Sequence, residues 1–283
     1  GTRNLIKKGF KKYGNSYSLT SGPDLKDFEN CIKKNTKGIY IESPSNPLLK
    51  IVDMQLISKM AKSKKLWTMI DNTFASPVNQ NPIDFGIDLV IHSATKYLGG
   101  HSDISAGAVI SSKDRINRVY ELAKSLGGTL SEFSAWLLER SIKTLPIRVW
   151  QQNENAMELA NFLNSHSLIS KVYYPGLINH EGHEIAKRQM KGFGGMLSIE
   201  LHPSIKPELF LKNLKIIKPV MSLAGIESTA NYPKLTSHYS LTDKERSLQA
   251  ISDQLIRLSA GIESIIDLKN DIDNSLKWSE NEN

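Results

Sequence analysis

Cysteine is almost absent: Cys31 is the only one in 283 residues, which excludes an intramolecular disulfide and a multi-cysteine metal site. A chain that does without disulfides suits a reducing compartment, so the cytoplasm is the expected location. No apolar run approaches the roughly 20 residues needed to cross a bilayer, and the longest are broken by Lys or Asp within a few positions. The opening GTRNLIKKGFKKYG is basic, with neither the apolar core nor the small-residue cleavage site of a secretory signal, so a soluble chain without a membrane partner is expected. Glycine and proline are scattered without period and no segment repeats at a fixed spacing, which excludes collagen-like, low-complexity and repeat architectures. The excess of positive charge is small: 36 Lys and Arg against 29 Asp and Glu leave +7. Its densest clusters, KKGFKK at 7–12 and KSKK at 62–65, lack the run of interleaved aromatics of a single-strand binding groove, so no nucleic-acid partner is expected. A small anionic ligand accounts for the charge as well.

With 40% of its residues hydrophobic and 23% charged, the chain is too mixed to be disordered and long enough for one large or two modest domains. Residues 38–43 (GIYIES) read as a buried strand that ends in the loop SPSNP, and 53–65 (DMQLISKMAKSKK) has helical apolar spacing. Residues 66–71 (LWTMID) and 88–93 (DLVIHS) are again strand-like. Strand, helix, strand with near-continuous apolar strands predicts a mostly parallel α/β sheet. From about residue 131 a long helical pattern follows, with Pro146 a predicted interruption. Beyond it lie strand-like VYYPG (172–176) and GGMLSIEL (194–201), an amphipathic segment at 207–215, and LIRLSAGIES followed by a helical tail. This predicts a large domain over 1–145 and a smaller α+β domain over 146–283.

Ligands of parallel sheets bind at the carboxyl ends of the strands. SPSNP (43–47), Asp71 with Asn72, and Ser93-Ala94-Thr95-Lys96 each stand where a predicted strand ends. A lysine in that position is ordinarily a solvated surface charge. Here it is accompanied by the hydroxyls of Ser93 and Thr95, by Gly99 and Gly100, which permit close backbone approach, and by Asp71 at another strand end. A lysine for a Schiff base, hydroxyls for a phosphate and a carboxylate for a pyridinium nitrogen are together what pyridoxal phosphate requires of a protein.

The motifs ESPSNPLLKIVD (42–53), DNTFASP (71–77), HSATKYLGGHSD (92–103), SLGGTLSEFSAWLLERSIKTLPIR (125–148), SLAGIES (222–228) and LIRLSAGIE (255–263) run in order over nearly the whole chain. In this the sequence resembles the transsulfuration, or Cys/Met metabolism, family of pyridoxal-phosphate (PLP) enzymes, which includes cystathionine γ-synthases, cystathionine β- and γ-lyases and methionine γ-lyase. The resemblance implies the PLP-dependent transferase-like fold of type I, a carbon–sulfur lyase reaction on cystathionine or a related sulfur amino acid, and homodimers paired into tetramers with shared sites. It implies that Lys96 carries the cofactor, that Asp71 keeps the pyridinium nitrogen protonated, and that Ser93 and Thr95 hold the phosphate. Asn46 would touch the cofactor ring oxygen or the substrate carboxylate. Arg257, with Ser222 helping, would take the α-carboxylate as a bidentate pair. As a plain residue, Arg257 also reads as an ordinary surface charge.

The match has two departures. Family members carry a substantial stretch before a GGT motif, whose tail is Gly1-Thr2 here; that stretch supplies a ring-stacking tyrosine, a glycine-rich phosphate turn and a Tyr/Arg pair for the neighbouring subunit. A fragment or a processed product is therefore expected, or else a catalytically silent truncated relative that binds the cofactor weakly. Met221 stands where many γ-synthases and γ-lyases have a glutamate for a distal ammonium. It predicts an apolar pocket wall and a tilt toward β-lyase or methionine-lyase behaviour, or else plain core packing. His92 and His101 are nine positions apart and predict packing or hydrogen-bonding roles rather than a metal site. His180 and His183, separated by Gly182, predict a flexible surface turn, and Cys31 a small buried hydrophobe on a helix.

Overall fold

The computed structural model describes every residue except 1, 3, 4, 237, 238, 240, 241, 243–245, 247, 248 and 283. Gly1, the start of the expected GGT tail, therefore lies outside the described residues. After α1 (Leu25–Cys31) the chain enters β1 (Gly38–Glu42), α2 (Met54–Ser63), β2 (Trp67–Asp71), the single turn α3 (Ser76–Asn79) and β3 (Leu89–Ser93). The three strands are parallel neighbours, and β4 (Gly107–Ile110) closes the edge antiparallel to β3. Alternation puts Ile39, Ile41, Ile70 and Val90 into one core, against which α2 sets Met54, Ile57, Met60 and Ala61 at helical spacing. Asp53 starts α2 as its N-cap, accepting a hydrogen bond from the Leu56 N–H.

The register aligns the strand ends. Glu42 is the Cα partner of Asp71, and Asp71 that of Ile91, so β1, β2 and β3 finish at one carboxyl edge.

Next comes α4 (Lys113–Leu126), which was not anticipated, and the long helix expected from about residue 131 is two, α5 (Glu132–Ile142) and α6 (Leu145–Asn164). Pro146 lies in the first turn of α6, where a missing N–H costs nothing, so the predicted interruption is a helix start. A second sheet follows, with β5 (Ile169–Tyr173), α7 (His183–Gln189), β6 (Met196–Leu201), α8 (Pro207–Asn213), β7 (Lys218–Pro219), β8 (Thr229–Asn231), β9 (Leu255–Ser259) and the tail α9 (Ile265–Asn281). Its strand order is β5-β6-β9-β8-β7. The strand read at 172–176 sits upstream at 169–173, because the chain turns at Tyr174, whose carbonyl accepts the Leu177 N–H across Pro175. β7 and β8 have two and three residues, too few to carry a period. Ala156, Leu159, Ala160 and Leu163 of α6 pack with Leu197, Ile199, Ile256, Leu258 and the α9 stripe Leu268, Ile272, Leu276 in the second core. A third cluster, containing Leu49, Phe74, Tyr97, Leu145, Val149 and Met196, binds the two sheets together. Cys31 closes α1 half-buried, its Sγ 3.5 Å from the Leu19 carbonyl, and is not a fully buried hydrophobe. Among the described residues no helix is long and apolar enough to cross a membrane.

Candidate active site

Asp71 ends β2 half-buried, and its carboxylate is held from two sides. Oδ1 accepts the Thr73 N–H at 3.0 Å and the Thr73 hydroxyl, while the Tyr40 hydroxyl stands 3.4 Å from Oδ2. Thr73 Oγ1 in turn accepts the Ser93 N–H at 2.8 Å, which couples the end of β2 to the end of β3. Burial, and after it the charge of Asp71, push the Tyr40 phenol up to about 12, so it remains a donor. His92 is 3% exposed, and burial drives its imidazole down to about 4 against the pull of Asp71. It is therefore neutral.

Lys96 lies on the turn after β3. Its N–H donates to the Ser93 carbonyl at 3.1 Å, and its own carbonyl accepts the Gly100 N–H at 2.7 Å. The buried Arg148 clamps this turn, donating to the carbonyls of Tyr97 and Ser141, each at 2.9 Å, and to the Thr144 hydroxyl. Gly100 has φ +72°, and a Cβ there would stand 2.0 Å from Arg148 Nη1, so only glycine fits. The Lys96 ammonium is half-buried and held below the usual lysine range, first by burial and then by the guanidinium of Arg257. His101 Nδ1 contacts the Gly99 carbonyl at 2.8 Å. The hydroxyl of Thr95 is turned to the backbone of Ala106, whose N–H it accepts at 3.0 Å and whose carbonyl it approaches at 3.3 Å. Of the two hydroxyls expected to take a phosphate, Ser93 is the less committed.

Arg257, on β9, is 3% exposed. Nη1 donates to Asn46 Oδ1 at 3.2 Å, Nη2 donates to the Met221 carbonyl at 3.0 Å, and Nε is buried without a partner. Burial lowers the guanidinium to about 10, while Glu42 favours its charge. The reading of Arg257 as an ordinary surface charge is thus overturned. Asn46 belongs to the loop after β1, anchored where Ser198 Oγ donates to the Pro47 carbonyl at 2.7 Å. Ser222 is half-buried, and its carbonyl accepts the Thr229 hydroxyl. Met221 presents its carbonyl to Arg257 while its side chain is 63% exposed, so it is not core packing. A cavity of about 270 Å³ opens over Tyr40, Glu42, Ser45 and Asn46; Lys96 and Asp71 lie outside its lining.

Tyr40, Glu42, Thr73 and Arg148 were not anticipated. Period two was the signal for the first two, since Tyr40 and Glu42 share the half-buried face of β1 beside that of Asp71. The loop 179–184 also departs from expectation. Gly182 packs so closely on Ile51 that a Cβ would meet it at 2.9 Å, His183 bonds the Pro175 carbonyl, and burial takes His180 down to about 4. Among the described residues no group of three His, Cys, Asp or Glu side chains is gathered for a metal ion.

A family model described as Cys/Met metabolism PLP-dependent enzyme matches residues 1–277. The chain belongs to this family. A cystathionine beta-lyase of Lactococcus lactis subsp. cremoris is 44% identical over 278 residues, covering 98% of this chain and 73% of the relative. A cystathionine gamma-lyase of Bacillus subtilis (strain 168) is 41% identical over the same shares. The crystal structure of a cystathionine gamma-lyase from Lactobacillus plantarum complexed with L-serine superposes with a TM-score of 0.96 at 39% identity, covering 99% of this chain and 74% of that one. The fold is therefore that of the family's PLP-dependent lyases and synthases, here a mostly parallel four-stranded sheet flanked by helices and a second, five-stranded and mostly antiparallel sheet. The chemistry of the residues fits pyridoxal 5'-phosphate: a depressed lysine on a turn that admits only glycine beside it, a strand-end carboxylate already accepting donors, and a buried guanidinium with an unpartnered Nε.

Proposed function

We propose that this Cys/Met metabolism family member is a carbon–sulfur lyase that cleaves cystathionine to a thiol amino acid, a keto acid and ammonia. The observation that carries the reading is that Asp71, its carboxylate held, and Lys96, its ammonium held low, follow neighbouring strands at one sheet edge, while the buried Arg257 of the second sheet reaches Asn46 in the loop after β1 and lowers the Lys96 ammonium by its charge. Bound there, PLP supplies an electron sink for the carbanion that forms at the substrate α-carbon. Lys96 anchors the cofactor and, once free, removes the α-proton as general base, a task suited to an amine whose ammonium is held low. Asp71 keeps a proton on the ring nitrogen; its bonds to Thr73 fix the direction in which it faces. Ser93 and, after release from Ala106, Thr95 donate to the phosphate. Arg257 receives the α-carboxylate and Asn46 orients it, with Ser222 beside them. Met221 offers no carboxylate to a distal ammonium, which favours methionine γ-lyase chemistry, whose substrate has no such group, as the second reading over γ-synthase chemistry.

Further parts of the same reading are a division into a large domain over 1–145 and a small one over 146–283, supported by two sheets with separate cores. A homodimer, paired into a tetramer, is supported by α4 and α5, which leave Tyr120, Leu122, Phe133 and Trp136 more than half exposed. Cytoplasmic residence is supported by the lone, unpaired Cys31.

The test is an absorbance spectrum of the purified chain with PLP before and after borohydride, followed by peptide mapping. A reduced adduct on Lys96, and keto acid released from cystathionine faster than from cysteine or methionine, is expected. Lys96→Ala should lose the adduct and about 10³-fold in kcat; full turnover by that variant would refute the assignment.

A further inference from the structure

Gln80 takes no part in the steps above, yet its side chain spans two of the segments that carry them. It directly follows α3, the single turn after β2, and is 1% exposed. Nε2 donates to the Ser43 carbonyl at 2.9 Å and to Asn72 Oδ1 at 2.7 Å, and Asn72 Nδ2 donates in return to the Gln80 carbonyl at 2.9 Å. Ser43 opens the loop SPSNP that carries Asn46, and Asn72 is the residue after Asp71. Both are fully buried, so a lost donor there is not replaced by bulk water.

The amide has one possible orientation. A flipped Gln80 would set Oε1 against two oxygens, and Asn72 cannot turn to meet it because its own Nδ2 serves the Gln80 carbonyl. In the orientation observed, Gln80 Oε1 is buried with no partner. A buried acceptor left unpaired destabilises the fold, and a side chain present for packing alone would be apolar, so the amide is there for its two donated bonds. The turn that delivers it is strained as well: Ser76 has φ +64°, the left-handed region that a residue with a Cβ rarely adopts. The loop it holds is otherwise closed mainly on itself. Ser43 Oγ accepts the Val52 N–H at 3.0 Å, and the N–H and carbonyl of Ser45 pair with Lys50 and Leu49. Past the end of the β1–β2 ladder, Gln80 is the side chain that joins this loop to the segment of Asp71 among the described residues.

Resting on the reading of Asn46 with Arg257 as the carboxylate anchor and of Asp71 as the partner of the ring nitrogen, we infer that Gln80 is a positioning residue that holds the two ends of the site in register, fixing the loop of Asn46 relative to the carboxylate of Asp71. The substrate carboxylate is received at one end and the cofactor ring at the other. Their offset sets how the bond to be broken at the α-carbon lies against the ring, and a shift of about 1 Å costs about 100-fold in rate. Gln80 acts through Ser43 and Asn72, the residues to which its bonds go.

Gln80→Met keeps the length and volume of the side chain and removes its donors. Two measurements on it, with and without PLP, test the proposal: hydrogen–deuterium exchange resolved by peptide, and steady-state kinetics with cystathionine. Peptides over residues 43–52 should exchange about tenfold faster than in wild type while those over β6 and β9 are unchanged. With PLP, kcat should fall about 10- to 100-fold and KM, set mainly by Arg257, should change less than about threefold. Wild-type exchange in the loop, faster exchange in every segment alike, or a wild-type kcat would overturn the proposal. The two readings fail separately. If wild type turns over cystathionine and Gln80→Met keeps its kcat, only the role of Gln80 fails; if the loop is released as expected but wild type frees no keto acid, the lyase reading fails and the tie made by Gln80 stands on exchange alone. Should Gln80→Met not fold, Gln80→Glu decides. Burial favours the protonated form of that carboxyl, which still offers one donor, whereas its anion offers none and repels both acceptors. Its kcat relative to wild type at the same pH should therefore fall as the pH rises, at constant near-UV circular dichroism. A flat ratio, or a dichroism signal lost in step with activity, would overturn the proposal.

Discussion

Arg257 and Lys96 influence each other through charge rather than contact, and this makes their roles separable by mutation. Arg257→Gln removes both the anchor for a carboxylate and the positive neighbour that holds the Lys96 ammonium low. The loss of one charge-assisted pair, about 1.5–3 kcal/mol, predicts a KM about 10- to 100-fold higher. It also predicts that the rising limb of kcat against pH moves to higher pH, because an ammonium without a cation beside it gives up its proton less readily. Arg257→Lys keeps the charge and loses the fork, so KM should rise while the limb stays in place. Steady-state kinetics from neutral to alkaline pH checks both. These two residues were legible in the sequence because each occupies a long motif. Thr73 and Arg148 stand in two other of the motifs, but their work is done on backbone atoms brought in from other segments, which residue type alone does not reveal.

At the scale of elements, the turn carrying Lys96 is a rigid part built around Gly100. Gly100→Ala forces a side chain into φ +72° and drives its Cβ onto Arg148, the clamp of the Tyr97 carbonyl. A destabilisation of about 1–3 kcal/mol is expected in urea unfolding, together with loss of the Lys96 adduct, since the turn cannot keep its shape. The strands and helices around it followed their periods: β1, β2, β3 and α2 fall within one or two residues of the expected bounds. β4 was not foreseen, as a four-residue antiparallel edge gives little pattern. Yet its approach places Ala106, and Ala106 is what engages Thr95.

The whole molecule joins two sheets through one apolar seam, and a neutral histidine stands on each side, His92 buried and His180 half-buried. His92 in the first sheet and His180 beside the second both stand at about 4, below their ordinary 6.5. The unfolded chain binds these protons more readily, so stability is full above about pH 6.5 and falls as the pH drops toward 4. For His92, 3% exposed, the loss is on the order of 1–3 kcal/mol. His92→Asn should flatten that acid slope in urea titrations across the window. Assembly belongs to this scale as well. If α4 and α5 meet a second copy, light scattering should show a dimer or larger species, and Phe133→Asp with Trp136→Asp should give monomers with reduced activity.

Composition, the two periodicities and the order of the motifs determined the class of fold, the strand ends that carry Asp71 and Lys96, and the cofactor chemistry, because these depend on spacing along one segment. Only the tertiary structure decided that Arg257 is buried with no ion-pair partner among the described residues, that Thr95 is turned to Ala106, that Met221 is exposed, and that Glu42 stands against Asp71. Each is a matter of which distant segments meet. The energy of a charge depends on what surrounds it after folding: residues 42 and 71 meet when β1 pairs with β2, and Arg257 reaches Asn46 only when the second sheet closes on the first.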